Sequence, residues 1–276
     1  MVFPPQPAES VLFITLDSCR YDTFANAHLP NIKAVAPFHR AQAPSHFTFG
    51  SHMAMFVGFT PGDHTRMESY VNPKFGKIFR MMGGADRSHG DDYFQLPGRN
   101  VVDGFKQLGY RTLGTGVMGW FNTDKETSRY LTCDFEKFFF TAKLGGLQRQ
   151  LAWAAEQLPQ AGPGQPNFLF MNVGETHVPY HYPDAPWQRA NPCIPFRETG
   201  NDAGECRRRQ TGCAEYVDSL LPGLLAAFAD ANILVCGDHG DAWGEDGLWG
   251  HCISHPKVLE VPLLFRLQPR PAAATP

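Results

Sequence analysis

The sequence of 276 residues has little of what marks membrane and secreted proteins. No apolar run approaches the roughly 18 residues that a membrane-spanning helix requires. The opening stretch, Met1–Ser10, has neither the basic residues nor the apolar core of a signal peptide. We therefore expect a cytoplasmic protein that has no membrane partner.

The sequence also lacks a large excess of positive or negative charge. The 24 Lys and Arg residues nearly balance the 27 Asp and Glu residues, and the formal net charge is -3. This balance offers no electrostatic basis for binding nucleic acid. Hydrophobic residues make up 43% of the chain and charged residues 18%, which is typical of a globular protein. The length suits one large α/β domain.

The seven cysteines are an odd number, and none of them lies in a Cys-x-x-Cys pair. Cys193, Cys206 and Cys213 share one loop-like stretch, where they could bind zinc. The alternative, which we favour, is that they are reduced thiols of a cytosolic protein.

Short apolar runs predict four buried strands, and helical patterns lie between them. The strands are Val11–Leu16, Asn167–Val173, Ile233–Cys236 and Val261–Phe265, and the helices are Val101–Leu108, Leu144–Leu158 and Cys213–Ala229. Pro262 indicates that the last strand lies at an edge or begins there. The alternation predicts an α/β fold, a doubly wound and mostly parallel sheet with helices on both faces.

The chain is predicted to form a single domain over residues 1–267. Polar stretches at about 60–100 and 183–212 indicate long loops that run over the sheet. Residues 268–276, rich in proline and alanine, indicate a frayed tail.

Acidic residues and histidines follow three of the predicted strands. They are Asp17, the turn from Glu175 to His177, and the pair Asp238-His239. Functional side chains of such sheets gather at the carboxyl ends of the strands. An Asp-His pair offers one oxygen and one imidazole nitrogen, a set suited to zinc or manganese. The pattern predicts a metal site at this edge of the sheet.

The segment Gly237–His251 resembles the C-terminal signature of the alkaline-phosphatase superfamily, nearest to its sulfatases, lipoteichoic-acid synthases and phosphoethanolamine transferases. In the transferases a further metal- or phosphate-binding histidine follows twelve positions later, and His251 stands twelve positions after His239. The resemblance implies an alkaline-phosphatase-like fold and one or two divalent ions. Zinc or manganese is expected, with calcium or magnesium as alternatives.

The segment Leu16–Asp22 resembles the Asp-Gly-x-Arg-x-Asp motif of nucleotide pyrophosphatases/phosphodiesterases. This match implies that Asp17 is a metal ligand and that Asp22 anchors Arg20 or caps a helix. Sulfatases usually carry a second aspartate directly after the first. Ser18 stands there instead, which counts against a sulfatase metal site.

The segment Thr48–Gly58 resembles the nucleophile segment of the phosphodiesterases and, more loosely, that of the sulfatases. Both matches imply that Thr48 is the nucleophile and a metal ligand, although Gly50 replaces the usual proline. Ser45 and Ser51 remain rival nucleophiles, and the alternative role for either is that of a helix cap.

The segment Gly109–Gly116 resembles a sulfatase motif that is usually followed by Lys-Trp-His, whose cationic groups help to bind sulfate. Here Val117–Gly119 follows, and both cationic groups are missing. Threonine also cannot be converted to the formylglycine that sulfatases need. These departures favour phosphoryl over sulfuryl transfer.

The segment Glu175–Tyr180 resembles the His-x-Pro turn that contacts the substrate anion or a second metal in this superfamily. The resemblance implies a second site made by Glu175, His177 and His251. An alternative role for Glu175 is to orient His177. His52 and Arg20 are further candidates for contacts with the phosphate.

The combined resemblance implies a metal-dependent hydrolase of phosphate esters, in the form of a trimmed core without the C-terminal subdomain of full-length sulfatases. The expected metal ligands are Asp17, Thr48, Asp238 and His239, with His177, His251 and Glu175 at a second site; Thr48, His177 and His251 are catalytic. A small-molecule phosphate or sulfate ester is the expected substrate. The alternatives are a sulfatase-like hydrolase, a phosphoryl-group transferase acting on a specialised metabolite, and a metal-binding pseudoenzyme. The sequence leaves the natural substrate and the oligomeric state open.

Overall fold

A computed structural model describes residues 1–58, 100–142, 145–195 and 199–269. The predicted loop over 60–100 lies outside the described residues except for Asn100. The predicted tail lies outside them except for Gln268 and Pro269.

Seven strands form one mixed sheet at the centre of the molecule. They are β1 (Val11–Leu16), β2 (Phe38–Gln42), β3 (Arg111–Gly116), β4 (Lys137–Phe140), β5 (Asn167–Val173), β6 (Asn232–Gly237) and β9 (Glu260–Arg266). Their order is β2-β9-β6-β1-β5-β3-β4. All the pairings from β6 to β4 are parallel, while β9 runs antiparallel to both β6 and β2. The predicted α/β fold with a mostly parallel sheet is confirmed. A separate two-stranded ribbon pairs β7 (Ala242–Trp243) with β8 (Trp249–Gly250).

The four predicted strands are all present, and of the two alternatives for Pro262 the structure shows the start of a strand and not an edge strand. Strand β9 lies between β2 and β6 instead of at an edge. Pro262 is opposite Arg40 of β2 and precedes the residues of β9 that pair with β6. Its missing N–H therefore interrupts no bond to β6. Strands β2, β3 and β4 of this sheet were not predicted from the sequence.

Nine α-helices surround the sheet in the described part of the chain. They are α1 (Tyr21–Asn26), α2 (Pro30–Lys33), α3 (Thr48–Val57), α4 (Val101–Gln107), α5 (Glu126–Thr132), α6 (Leu147–Gln157), α7 (Ala203–Leu220), α8 (Pro222–Ala227) and α9 (Pro256–Leu259). The stretch 183–212, expected to be a loop, is helical from Ala203 onward. Asp202 caps α7 by accepting a hydrogen bond from the Glu205 N–H at 3.0 Å. The predicted helix 213–229 is divided at Pro222, which begins α8.

The side chains of β1 alternate between two apolar layers, as the period of a strand requires. Leu12, Ile14 and Leu16 pack in a layer with residues of α6, α7 and α8. Phe13 enters a second layer, rich in phenylalanine, with residues of α3, α4 and α5. Both faces of the sheet are therefore covered. No helix among the described residues has the length and apolarity to cross a membrane.

Candidate active site

Two adjacent strands deliver the first two acids of the site. Asp17 directly follows β1 and Asp238 directly follows β6, and Leu16 is the register partner of Gly237. A Cβ atom at position 237 would lie 2.8 Å from the carbonyl oxygen of Cys19, so only glycine permits this close approach. The parallel register thus brings the two carboxylates to the same point at the carboxyl edge of the sheet.

Asp17, Asp238 and His239 form the one cluster suited to a metal among the described residues. Their ligand atoms all lie within 4.8 Å of one another, and each side chain is fully buried. His239 Nε2 is 3.7 Å from both Asp17 Oδ1 and Asp238 Oδ2. We refer to these three residues as the metal cluster.

The hydrogen bonds around the metal cluster leave ligand atoms available. Asp238 Oδ1 accepts hydrogen bonds from the backbone N–H groups of Ser18 and His239, at 3.0 and 2.9 Å. Asp238 Oδ2 is buried and has no hydrogen-bond partner. Nδ1 of His239 donates to the carbonyl oxygen of Gly240, which leaves the lone pair of Nε2 for a ligand. A buried carboxylate oxygen without a partner is costly, and a cation would remove that cost. The cluster therefore fits a divalent metal.

The protonation states agree with this fit. Burial, followed by repulsion from Asp17, raises the pKa of Asp238 well above its ordinary value. Burial opposes ionisation of Asp17 too, but His177 and His239 outweigh it and lower the pKa of Asp17. Burial lowers the pKa of His239 to about 3 and keeps the imidazole neutral, the form that binds metals. Without a cation, the two carboxylates cannot both be ionised without cost.

Thr48 lies against the metal cluster as the first residue of α3. Its Oγ1 is 3.3 Å from both Asp17 Oδ2 and His239 Nε2. No side chain caps this helix, whose N-cap residue is Phe47. The hydroxyl therefore lies at the N-terminus of a helix, where backbone N–H groups point toward phosphate-like anions in other proteins.

The structure explains why glycine replaces the usual proline of this segment. A Cβ atom at Gly50 would lie 2.4 Å from Ser45 Oγ and 2.8 Å from the ring of Phe47. The rival nucleophiles are placed differently from Thr48. Ser51 Oγ donates to the carbonyl oxygen of Asp238 at 2.6 Å and supports the strand end, while Ser45 packs against Gly50.

His177 and His251 lie beside the metal cluster, as the resemblance implied. The ring centroid of His251 is 4.6 Å from that of His239 and 5.2 Å from that of His177. Nδ1 of His251 donates to Asp241 Oδ1 at 2.7 Å. Burial opposes the imidazolium form, but Asp241 outweighs it and raises the pKa of His251 above its ordinary value. His251 is thus prepared to hold and release a proton.

The structure places Glu175 away from the proposed second metal site. Its Oε1 accepts a hydrogen bond from the Leu147 N–H at 2.8 Å, at the start of α6. Burial raises the pKa of Glu175 to about 7. In the described part of the chain, Glu175, His177 and His251 do not form a second metal cluster. The alternative of an orienting bond to His177 is not seen either, because Nδ1 of His177 donates to the carbonyl oxygen of Val178.

The two further phosphate candidates, His52 and Arg20, are occupied by other groups. Nδ1 of His52 donates to the carbonyl oxygen of Thr48 at 2.7 Å, and its Nε2 accepts from the hydroxyl of Thr15 at 2.9 Å. Arg20 is 1% exposed and donates to Asp22 and Glu245. Both side chains therefore build the scaffold, and the expectation that they contact phosphate is not supported by their positions.

Sequence reasoning missed three polar residues that support the site. Asn172 of β5 donates to Asp17 Oδ2 at 3.0 Å. Asp241 accepts from His251 and, through Oδ2, from the hydroxyl of Tyr180 at 2.7 Å. Asp241 stands inside the Gly237–His251 signature, so its place there was the available signal. Tyr180 likewise ends the Glu175–Tyr180 segment, but its bond to Asp241 spans 61 positions. Asn172 had no signal, because Asp17 is distant in the chain.

Comparison with known proteins identifies the family. A family model described as Sulfatase matches residues 10–273. The chain belongs to the sulfatase family. This membership and the similar solved structures confirm the resemblance to the alkaline-phosphatase/sulfatase superfamily, whose members include hydrolases and transferases. No curated protein matched the sequence.

Several solved structures share the fold at low sequence identity. The C-terminal periplasmic domain of phosphoethanolamine transferase EptC from Campylobacter jejuni has a TM-score of 0.62 at 14% identity, covering 96% of this chain and 83% of that one. Phosphonate monoester hydrolase of Agrobacterium radiobacter also has a TM-score of 0.62, at 15% identity, covering 94% and 68%. The periplasmic domain of EcEptC from Escherichia coli, in complex with Zn, has a TM-score of 0.57 at 12% identity, covering 96% and 76%.

Proposed function

We propose that this protein is a metal-dependent hydrolase of small-molecule phosphate esters in which Thr48 is the nucleophile. The observation that carries the proposal is the position of Thr48 Oγ1, 3.3 Å from both Asp17 and His239. The buried, unpartnered Asp238 Oδ2 belongs to the same cluster. A hydroxyl nucleophile therefore adjoins a set of side chains suited to hold a divalent cation.

Asp17, Asp238 and His239 would hold the cation, with Thr48 as a further ligand. Zinc or manganese suits two carboxylates and an imidazole, with calcium or magnesium as alternatives. When bound, a divalent cation lowers the pKa of the hydroxyl and offsets negative charge on the phosphoryl oxygens.

The residues of the chain supply the remaining steps. Asp17 orients the hydroxyl of Thr48, which releases its proton to solvent. Its oxygen then forms a bond to phosphorus as the bond from phosphorus to the leaving oxygen breaks. The N–H groups at the start of α3 bind phosphoryl oxygens, and the imidazole of His177 helps to stabilise the same oxygens. His251, held by Asp241, gives its proton to the leaving oxygen. Water then hydrolyses the phosphothreonine and regenerates the hydroxyl.

A preference for phosphate over sulfate follows from two departures in the sequence. Val117 and Gly119 stand where the sulfatases place lysine and histidine, and Val117 is buried. Thr48 is also not a residue that matures to formylglycine. Binding of the substrate anion would therefore depend on the cation and on His177 and His251.

A phosphoryl-group transferase is the second candidate. The spacing of His239 and His251 favours it, because it matches the transferase branch of the superfamily. In that case an acceptor alcohol, instead of water, would resolve the phosphothreonine. The two functions share every residue of the first half-reaction.

The experiment compares p-nitrophenyl phosphate, bis(p-nitrophenyl) phosphate and p-nitrophenyl sulfate, with the metal content measured on the same samples. We expect metal-dependent turnover of at least one phosphate ester that exceeds turnover of the sulfate. Acid quenching and peptide mapping should then find the phosphoryl group on Thr48. An added alcohol that speeds turnover and appears in the product would indicate the transferase. A faster sulfate rate, or a label on Ser45 or Ser51, would contradict the proposal, and metal binding without turnover would indicate a pseudoenzyme.

A further inference from the structure

Two buried cysteines outside the metal cluster lie in contact across a loop. Cys193 follows Pro192 in the segment before α7, and Cys206 lies in the first turns of α7. Both thiols are fully buried in a small cluster with Tyr180, Trp243 and Cys213. The thiol of Cys206 donates to the carbonyl oxygen of Pro192, the residue before Cys193, at 3.3 Å. The proximity of Cys206 and burial raise the pKa of Cys193.

Hydrogen bonds hold the segments that carry the two cysteines next to each other. The carbonyl oxygen of Pro192 accepts from the Asp202 N–H at 3.0 Å and from the thiol of Cys206 at 3.3 Å. The amide of Asn201 donates to the carbonyl oxygen of Ile194, and its side-chain oxygen accepts from the Ile194 N–H. The two ends of the segment 192–202 are therefore fastened side by side, with Cys193 next to one end and Cys206 in the first turn of the helix that follows the other.

We infer that Cys193 and Cys206 form a disulfide when the chain folds in an oxidising environment. The bond ties the segment that precedes α7 to the first turns of that helix. The sequence had left these cysteines as a zinc site or as reduced thiols. No zinc cluster of these cysteines forms among the described residues, whereas the pairing of two thiols needs only Cys193 and Cys206.

The chemistry is thiol–disulfide exchange with a small-molecule or protein disulfide as the oxidant. One thiol loses its proton, and the thiolate attacks the oxidant to form a mixed disulfide and release one reduced thiol. The second cysteine loses its proton and attacks the mixed disulfide, which forms the Cys193–Cys206 bond and releases the second thiol. The oxidant gains the two electrons that the cysteines lose. Exchange takes place during folding, before burial suppresses the thiolates.

The bond would stabilise a segment that touches the active site. Cys193 Sγ lies 3.5 Å from the carbonyl oxygen of Ala242, to which the reduced thiol donates. Oxidation removes this S–H donor and leaves the packing contact between the sulfur and this backbone. Ala242 directly follows Asp241, which accepts hydrogen bonds from His251 and Tyr180. Fixing Cys193 therefore restrains the backbone beside the residue that orients His251.

The test uses the full chain refolded with reduced and oxidised glutathione. Free thiols are then alkylated, and peptides are mapped without reduction. We expect one peptide pair joined through Cys193 and Cys206, with Cys213 alkylated. Recovery of both cysteines as alkylated thiols, or a disulfide between Cys206 and Cys213, would overturn the inference.

Thermal unfolding supplies a second measurement. Closing a loop of this length should raise the Tm of the oxidised protein over the reduced protein by on the order of 5 to 10 °C. Cys193→Ala should abolish this difference between the two redox states, and Cys213→Ala should retain it. Cys213 is the matched control because it is equally buried in the same cluster. An equal Tm for oxidised and reduced wild-type protein would also contradict the inference.

Discussion

Two clusters of charged residues lie at the same edge of the sheet and are built in opposite ways. The first, which we call the ion-pair cluster, consists of Arg20, Asp22, Glu245 and Lys257. Arg20 pairs with Asp22 at 2.6 Å and with Glu245 at 2.8 Å, and Lys257 pairs with Asp22 at 3.0 Å. The guanidinium also lies 4.0 Å from the ring centroid of Trp243. In the metal cluster, by contrast, Asp17 and Asp238 crowd one neutral imidazole, and Asp238 Oδ2 has no hydrogen-bond partner.

The difference separates a structural cluster from a functional one. Opposite charges at hydrogen-bond distance compensate each other, so the ion-pair cluster contributes to stability without a bound cation. Like charges buried together need an additional cation, so the metal cluster is incomplete without a ligand. Both clusters contain an Asp from the segment Leu16–Asp22, and only their surroundings distinguish the roles of Asp17 and Asp22.

The largest effect is expected at the nucleophile. Thr48→Ala should reduce kcat by on the order of a thousandfold or more, because it removes the attacking oxygen. Thr48→Ser should retain part of the activity, since it keeps that oxygen. Circular dichroism should show the wild-type fold in both variants. Substantial turnover by Thr48→Ala would instead indicate direct attack by water.

Asp238→Asn should abolish metal binding and relieve the electrostatic repulsion within the metal cluster of metal-free protein. The variant should lose bound metal, because it replaces a ligand. In metal-free protein near pH 8 it should gain about 1–2 kcal/mol of unfolding free energy, since it removes an unpaired buried charge. The sign follows from the raised pKa of Asp238 in the folded state. As the pH rises above the ordinary value of 3.8, the unfolded carboxyl ionises while the folded one must keep a proton or carry an unpaired charge, and either costs stability.

The matched control for this substitution is Asp218→Asn. Asp218 is buried too, but it accepts from the Ile32 N–H and from the side chain of Asn31, each at 2.7 Å. Its substitution should lower stability and leave the metal content unchanged. Calorimetry with zinc and with a chelator measures the stability of both variants. A metal-free Asp238→Asn protein less stable than the metal-free wild type would contradict the predicted relief of repulsion.

Arg20→Ala should damage the ion-pair cluster only. The loss is expected to be about 3 kcal/mol, at the lower end for a buried pair, because Asp22 and Glu245 are about one third exposed. Metal content per folded molecule should not change. Urea unfolding and elemental analysis measure the two quantities, and loss of metal from folded Arg20→Ala would link the clusters.

The smallest effect concerns the acid sensitivity of Asp22. Burial opposes its ionisation, but Arg20 outweighs burial and lowers the pKa of Asp22 from 3.8 to about 2. A depressed pKa contributes stability above the unfolded value, and that stability is lost as the pH falls from 3.8 through about 2. The exposure of 32% reduces the contribution to about 1 kcal/mol. Asp22→Asn should therefore flatten the pH dependence of unfolding in this range, and an unchanged slope would contradict the assignment.

Much of the fold could be predicted because its signals are local. The apolar runs of β1, β5 and β6 reflect strands buried on both faces, and such runs need no knowledge of partners. Strands β3 and β4 escaped prediction because Arg111–Gly116 is polar and glycine-rich and Lys137–Phe140 is short. A Cβ atom at Gly114 would lie 2.5 Å from the ring of Phe138, so the composition of β3 is explained by packing that the sequence does not display.

The strand ends that carry Asp17, Asp238 and His239 could be located from local sequence, as could the family motif that carries Thr48. These features depend on neighbouring residues and on the fixed direction of parallel strands. Which polar groups are satisfied became known from the folded chain. Tyr180 meets Asp241 across 61 positions and Arg20 meets Glu245 across 225, whereas Glu175 turns to α6 instead of to the histidines. Hydrogen-bond satisfaction depends on atoms brought together from distant parts of the chain, and no local pattern encodes it.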